Sequence, residues 1–579
     1  MTPTQTPTRK HSDRLRQLAE KRREVLSMPA QQAMAVILDH PQPAALVHSF
    51  ADEDLHFLIH DIGPEDARPL LALASNRQWE YLLDMETWHK DQLNYQQVTH
   101  WLRLLLRADP DRLIAWCFGE RLEYLELYLF RNIELRVRET DEVPSDFGDG
   151  YLSDDDALYV RMVDYPVATE EEETIKARRN EVLSQLLARL SHFDHLRYQG
   201  LLMESINAIP AETEEELYRQ RNIRLAEKGF LPFHEAVGVY QPLRPGDLAV
   251  RGKKIIRTAA QDSRLPVPQL ASSFLAGDSL FVRALKSVGE PHVIQQLQME
   301  LASLCNQVIS ADQTIIRSRY QLQSVVAKVD DYLSIGLELM TRKFTGNREA
   351  RAATFLRRHL LADIFRTGYA SALQLKWKAT RWHEGSWSRQ VDLTFWDEAW
   401  LGLLGGVLID RPKFYDPASP ATNYRDFQTC DEIAATRRGL EQIAAMDHLF
   451  KCMDIPTAPL AHIHFLTYKN LLLTLWARSS LAIAPIEKDA STIAISVSAF
   501  RPLYAALWSQ AEGRRRIGDG KKNEFLQWAA KASAQSPADL SDRLGEVFEA
   551  LFDEMENELS QVEAKNLDPR YIKLFLLQP

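Results

Sequence analysis

The chain has 579 residues, with 69 basic and 80 acidic side chains and a formal net charge of -11. Its 45% hydrophobic and 26% charged content is that of a folded globular protein and excludes a wholly disordered or collagenous chain. Glycine, at 23 residues, is about 4% of the chain against an average of about 7%, which favours helices over architectures that lean on glycine turns.

The negative charge is local. From Glu139 to Glu173 thirteen acids stand against one base, Arg161, so this window alone carries -12 and the remainder is close to neutral. Residues 1–30 are the opposite case, with seven bases and three acids. The Thr/Pro tract at the N-terminus runs into Arg9-Lys10-His11 with no apolar stretch of signal-peptide length behind it. The longest nearly uninterrupted apolar window, Ala399 to Ile409, falls far short of the ~20 residues that cross a bilayer. Cys117, Cys305, Cys430 and Cys452 form no CxxC pair, a usage that fits free thiols. Together these features predict a cytoplasmic protein without a membrane span.

In chain order, a basic arm (1–30) precedes a region of short helices (31–138). Ser75 with Gln78 and Asn94 with Gln97 place a capping side chain three residues before a Gln that can reach back to it, and Asp109-Pro110 joins an N-cap carboxylate to a first-turn proline. Within the helix opened at Asn94, Tyr95, Val98, Trp101, Leu102, Leu105 and Leu106 recur at helical spacing, as one buried face requires. Residues 139–166 interrupt the helices with Pro144, Gly148 and Gly150, and Ala157–Val163 is rich in strand formers. Helix resumes at Thr169, which with Glu172 makes another capping box, and residues 167–242 complete this part of the chain. Its last helix ends on Leu225, Gly229 and Phe230 in the Schellman arrangement. A proline- and glycine-rich linker (243–273) leads to a C-terminal helical domain (274–579). There the apolar spacing predicts long helices over 312–344 and 348–377, packed as a hairpin, and further helices over 432–451, 460–478, 500–510, 523–532 and 540–562.

The run Glu53-Asp-Leu-His-Phe-Leu-Ile-His-Asp-Ile-Gly-Pro-Glu-Asp-Ala-Arg-Pro-Leu-Leu-Ala-Leu-Ala-Ser75, followed by Trp79 to Trp88, resembles the short-helix superhelical repeats in the N domain of MgtE-type magnesium transporters and in the flagellar motor-switch FliG family. The resemblance covers about one fifth of the chain and implies a mainly α fold with a superhelical N-terminal domain. Taken whole, and above all in Arg224-Leu-Ala-Glu-Lys-Gly-Phe-Leu-Pro-Phe-His-Glu-Ala236 through Tyr240, the chain resembles a family of uncharacterised bacterial proteins, a domain-of-unknown-function family. That resemblance implies no activity.

Candidate chemistry is sparse. His448 and Cys452 lie at i, i+4 and His462 and His464 follow within 17 positions, but a helix turns the two rings of His-x-His about 200° apart. The aspartates Asp146, Asp149 and Asp154 to Asp156 miss the EF-hand pattern, because Gly148 stands at its third position and no Glu closes the loop. Gly402-Leu-Leu-Gly-Gly406 is neither a dinucleotide fingerprint nor a Walker loop, and reads as close helix packing. Arg514-Arg-Arg516 with Gly518 to Lys522 reads as a basic turn between helices, and the overall negative charge argues against a nucleic-acid partner. No GxSxG and no zincin motif occurs. Five tryptophans, Trp377, Trp382, Trp387, Trp396 and Trp400, cluster within 24 positions, as a packed core or the wall of a ligand cleft would need.

The sequence therefore assigns no catalytic residue, no cofactor and no metal ligand. It favours a helical scaffold that binds a protein partner. Two alternatives remain: an enzyme or small-ligand-binding protein with a pocket in the tryptophan-rich half, and a regulatory protein that responds to divalent cations through the 139–173 segment.

Overall fold

Four of the helix starts read from the sequence form at their expected caps, although Gln97 does not reach back to Asn94. Ser75 accepts from the Gln78 backbone amide while the Gln78 side chain takes the Ser75 amide, opening Asn76–Glu86. Asn94 caps Tyr95–Ala108, Asp109 with Pro110 opens Pro110–Glu120, and Thr169 with Glu172 opens Glu170–Phe193. Each cap satisfies amides that a helix start leaves without a partner. The computed structural model describes residues 6–139, 142–207, 209–249, 270–275, 277–314, 316, 318–419, 422–457, 460, 463, 465–484, 493–511 and 514–579. Among them, 25 α-helices and only two-stranded sheets make the protein mainly α. No helix among the described residues is long and apolar enough to cross a membrane.

The chain divides into two units. The first comprises Met1–Gln241, Leu248–Leu333 and Lys343–Phe365. Its short helices Ala30–Leu38, Pro43–Ser49, Asp52–Ile62, Arg68–Leu73, Asn76–Glu86 and Tyr95–Ala108 pack so that elements two apart in the chain touch, the contact pattern of a helical stack. Val98, Trp101, Leu102, Leu105 and Leu106 are buried as their spacing predicted. The strand Leu158–Met162 pairs antiparallel with Ile133–Val137. Several acids of the 139–173 segment serve the segment itself. Asp155 accepts from the Ala157 and Leu158 amides and from Gln199, while Asp156 pairs with Arg138 and Asp164 with Lys176. Burial by itself raises the Asp155 carboxyl; the Gln199, Leu158 and Ala157 donors outweigh it and hold it at about 2.

The two runs that carried the family resemblance meet inside this unit. Arg224 makes a bidentate pair with Asp84 at 2.8 Å on each oxygen, and Lys228 reaches Asp52 at 2.8 Å and Glu53 at 3.2 Å. The helix Pro210–Ala226 ends as expected: the Phe230 amide donates to the Leu225 carbonyl at 3.0 Å, with Gly229 at φ +88°. Nearby, helices Leu122–Asn132 and His195–Asn207 bring Glu126 against Glu204. Burial, the bond between the two acids and their like charge push Glu126 up to about 7. Between the ordinary value of 4.5 and about 7 the folded chain holds a proton that the unfolded chain has lost, so this pair makes stability fall as pH rises through that window. Glu126→Gln is expected to stabilise by about 1 kcal/mol at about pH 8, after allowing for solvent screening at a half-exposed site, and to be nearly neutral at about pH 4. Urea denaturation at the two pH values checks this.

Three expectations for the helices are corrected. Asp312 ends the helix Pro291–Asp312, with Gln313 left-handed at φ +52°, so the pattern expected over 312–344 is the helix Arg319–Thr341. The pattern over 348–377 is divided into Arg348–Arg358 and Leu361–Gly385, because His359 turns extended and the Glu300 carboxylate accepts from the Leu361 amide at 3.2 Å. In the second unit, comprising Pro242–Asp247, Ser334–Arg342 and Arg366–Pro579, the helix expected over 500–510 is Val497–Leu507. It gives way to a hairpin of Trp508–Ala511 with Arg514–Ile517, so Arg514 to Arg516 form a strand. Long-range bonds hold that hairpin: the Ile517 amide donates to Glu556 and Arg515 to the Val562 carbonyl, both at 2.9 Å.

Gly402 and Gly406 make room for a hairpin, not for the neighbouring helix expected. They lie on Asp397–Leu408 against the hairpin Phe414–Tyr415 and Tyr424–Arg425, where a Cβ on Gly402 would enter the Tyr415 ring and one on Gly406 would lie 2.6 Å from the Lys413 carbonyl. Close helix approach occurs at Gly439 of Cys430–Cys452, which abuts Leu403. Of the segment read as a linker, residues 250–269 lie outside the described residues.

Candidate functional site

In the second unit the helix expected from Leu460 begins only at Tyr468, and the reason locates the site. Thr467 and Asn470 form a reciprocal capping box, and the buried Asn470 amide also donates to the Phe465 carbonyl at 2.9 Å. That bond holds Phe465 left-handed at φ +59° and stops the helix from extending backwards. The next residue in the helix, Lys469, reaches Asp397 Oδ2 at 2.5 Å and Glu554 Oε2 at 2.6 Å. Burial alone disfavours the ammonium; the two carboxylate bonds reverse this, so the Lys469 pKa is raised. The Asp397 carboxyl is lowered, its burial outweighed by Lys469 and by the Glu398 amide. Asp397 sits at φ +61°, a backbone state that costs a non-glycine residue about 1–3 kcal/mol and is met where surrounding structure enforces it.

These residues line a cleft of about 1040 Å³. Its polar wall carries Asp392, Asp397, Glu398, Lys469, Glu554, Glu558, Arg570 and Lys573, and its apolar wall includes Phe395, Leu460, Leu466, Ile572, Leu574 and Phe575. Phe465 lines it while remaining 95% exposed, and Tyr571, between two lining residues, is 77% exposed. Behind the cleft stands an aromatic layer: Trp400 stacks on Tyr468 at 4.4 Å, Trp387 on Phe450 at 5.1 Å, and Trp396 is buried. Of the five clustered tryptophans only Trp396 is fully buried; Trp382, Trp387 and Trp400 are half-buried, Trp377 is 46% exposed, and none of the five lines the cleft. Asp447 anchors this layer by accepting from the Trp387 and Ser388 amides at 3.0 Å.

A smaller cleft of about 320 Å³ lies in the first unit, where Asp52, Glu53 and Asp84 already face Arg77, Lys228 and Arg224. Charge there closes the fold. A family model described as "Family of unknown function (DUF6178)" matches residues 9–578. The chain belongs to the DUF6178 family. No curated protein and no solved structure matches this DUF6178 chain.

The residues singled out from the DUF6178 sequence fare unevenly. His448 and Cys452 do meet, Sγ to Nε2 at 3.5 Å, but among the described residues they belong to no group of three potential ligands. His462 and His464 lie outside the described residues. The acidic 139–173 segment forms no such group among the described residues either. The group that does form is His56, His60 and Glu86. Its sequence signal is the i, i+4 histidine pair on one helix face. That pair stands within the run that carried the superhelical resemblance, Glu53 to Ser75.

Proposed function

We propose that the protein is a helical interaction protein whose second unit takes up an apolar, basic segment of a partner chain in the cleft around Lys469. The observation that carries this reading is Phe465, almost fully exposed yet fixed in a left-handed turn by a buried asparagine. A lone exposed apolar residue is ordinary; one locked in place at the rim of a large cleft presents an anchor that loses little entropy on binding. The lining carries five carboxylates against three bases. Of the bases, Lys469 is held by two of those acids and Arg570 by Asp568. The remaining negative character complements Lys or Arg in the occupant. The volume lies at the upper limit of small-ligand pockets, about 300–1,000 Å³, and suits an extended segment.

Panning a displayed peptide library on the full chain tests the proposal. Recovered peptides are expected to combine apolar residues with Lys or Arg. Phe465→Ser is expected to weaken them at least about tenfold, which is about 1.4 kcal/mol, without lowering the melting temperature. A library that yields no enrichment, or peptides that bind the Phe465→Ser protein equally well, would refute this reading.

A further inference from the structure

His56 and His60 project from one face of Asp52–Ile62, and Glu86 closes the neighbouring helix Asn76–Glu86. His56 Nε2 lies 2.7 Å and His60 Nε2 2.8 Å from the same oxygen, Glu86 Oε1, and all three atoms fall within 4.8 Å of one another. The imidazole rings meet edge to face at 4.6 Å between centroids. Around them, Phe57 and Tyr81 lie against His56 and Trp101 against His60, at 5.4, 5.8 and 6.2 Å between centroids. The donors therefore converge in a largely dry aromatic setting, on two helices that pack against each other.

We propose that His56, His60 and Glu86 form a binding site for a zinc-class divalent cation. Two imidazole nitrogens and one carboxylate oxygen are ligand types that this class of ion takes, with bond lengths of about 2.0–2.2 Å. Tetrahedral ligands at such bond lengths stand about 3.3 Å apart, so the present 2.7 and 2.8 Å spacings need only a small outward adjustment to admit the ion. The converging atoms are the two Nε2 nitrogens and Glu86 Oε1; His56 Nδ1, the other nitrogen of its ring, is buried without a hydrogen bond. Hard cations such as magnesium prefer oxygen donors, which sets this site apart from an acidic-loop mechanism. Phe57 occupies the position after the first histidine where a zinc protease helix carries its general-base glutamate, so the site binds an ion and staples two helices without the hydrolytic apparatus. The inference is independent of the cleft in the second unit.

The test is calorimetric titration of the EDTA-stripped full chain with Zn²⁺, repeated with Co²⁺ for its visible absorption. One equivalent is expected to bind, with a cobalt spectrum of the four-coordinate kind. Glu86→Gln and His60→Asn, checked for folding by their melting temperatures in EDTA, are each expected to weaken Zn²⁺ binding by more than about 100-fold. Loss of a supporting residue costs only about 10–100-fold, so the size of the effect separates ligand from neighbour. A His448→Ala/Cys452→Ser double variant is expected to bind normally. Failure of the stripped chain to bind either ion at tens of micromolar overturns the proposal. So does stoichiometric binding that survives Glu86→Gln and His60→Asn, or that disappears with the His448/Cys452 variant.

Discussion

Gly229→Ala is expected to destabilise the first unit by about 3 kcal/mol. Two separate costs add at this position. The backbone is left-handed at φ +88°, which alanine adopts at a cost of about 1–2 kcal/mol. A Cβ there would also lie 2.6 Å from the Ser303 carbonyl oxygen and 2.8 Å from the Ser303 Cα. Those atoms belong to the backbone of Pro291–Asp312 and cannot rotate aside, so overpacking contributes about a further 1–3 kcal/mol. The contact is pinned from both sides, since Asn306 donates to the Lys228 carbonyl at 2.7 Å and Lys228 in turn pairs with Asp52 and Glu53. Gly200 is the control. It lies within His195–Asn207 with nothing near its missing Cβ, and Gly200→Ala is expected to be neutral or to stabilise by up to about 1 kcal/mol through helix propensity. Urea denaturation of both variants decides the matter; a Gly229→Ala loss under about 1 kcal/mol would mean that the Ser303 contact yields.

Lys469→Met is expected to cost about 2–3 kcal/mol near neutral pH. Methionine keeps the packing of the stem and removes the cation that separates Asp397 from Glu554. Stranding a buried partner costs about 3–5 kcal/mol, reduced here because both carboxylates are about one-third exposed. The pH dependence identifies the cause. Without Lys469 the burial that disfavours the Asp397 carboxylate is no longer offset, so the deficit is largest where that carboxyl is ionised and shrinks as pH falls and it takes up a proton. Denaturation at about pH 7 and about pH 4 distinguishes this from a packing defect, whose cost would be the same at both.

The caps were legible because their physics is local. Ser75 and Gln78, Thr169 and Glu172, and the Leu225 to Phe230 ending each complete their hydrogen bonds within three to five residues, and no tertiary partner is needed to form them. The strand near 157–163 was legible for a similar reason, since turn residues and strand formers stand together. Boundaries failed where a distant group intervened. Glu300 caps Leu361 across 61 positions and divides a pattern that its apolar spacing would have continued. The hairpin at Arg514–Ile517 is held from Glu556 and Val562, which no window around it contains.

The sites show the same division. The i, i+4 spacing of His56 and His60 sets both on one helix face, but only packing of the second helix brings Glu86, 26 and 30 positions away, to the same point. Lys469 was one unremarked lysine in an apolar run until the fold set it between Asp397 and Glu554. The sequence by itself determined the helical character, the positions of most caps and the concentration of negative charge in one 35-residue stretch. Tertiary structure alone decided which of the scattered carboxylates, imidazoles and ammonium groups face one another. Periodicity states which face of an element is buried, and it takes the docking of that face to say against what.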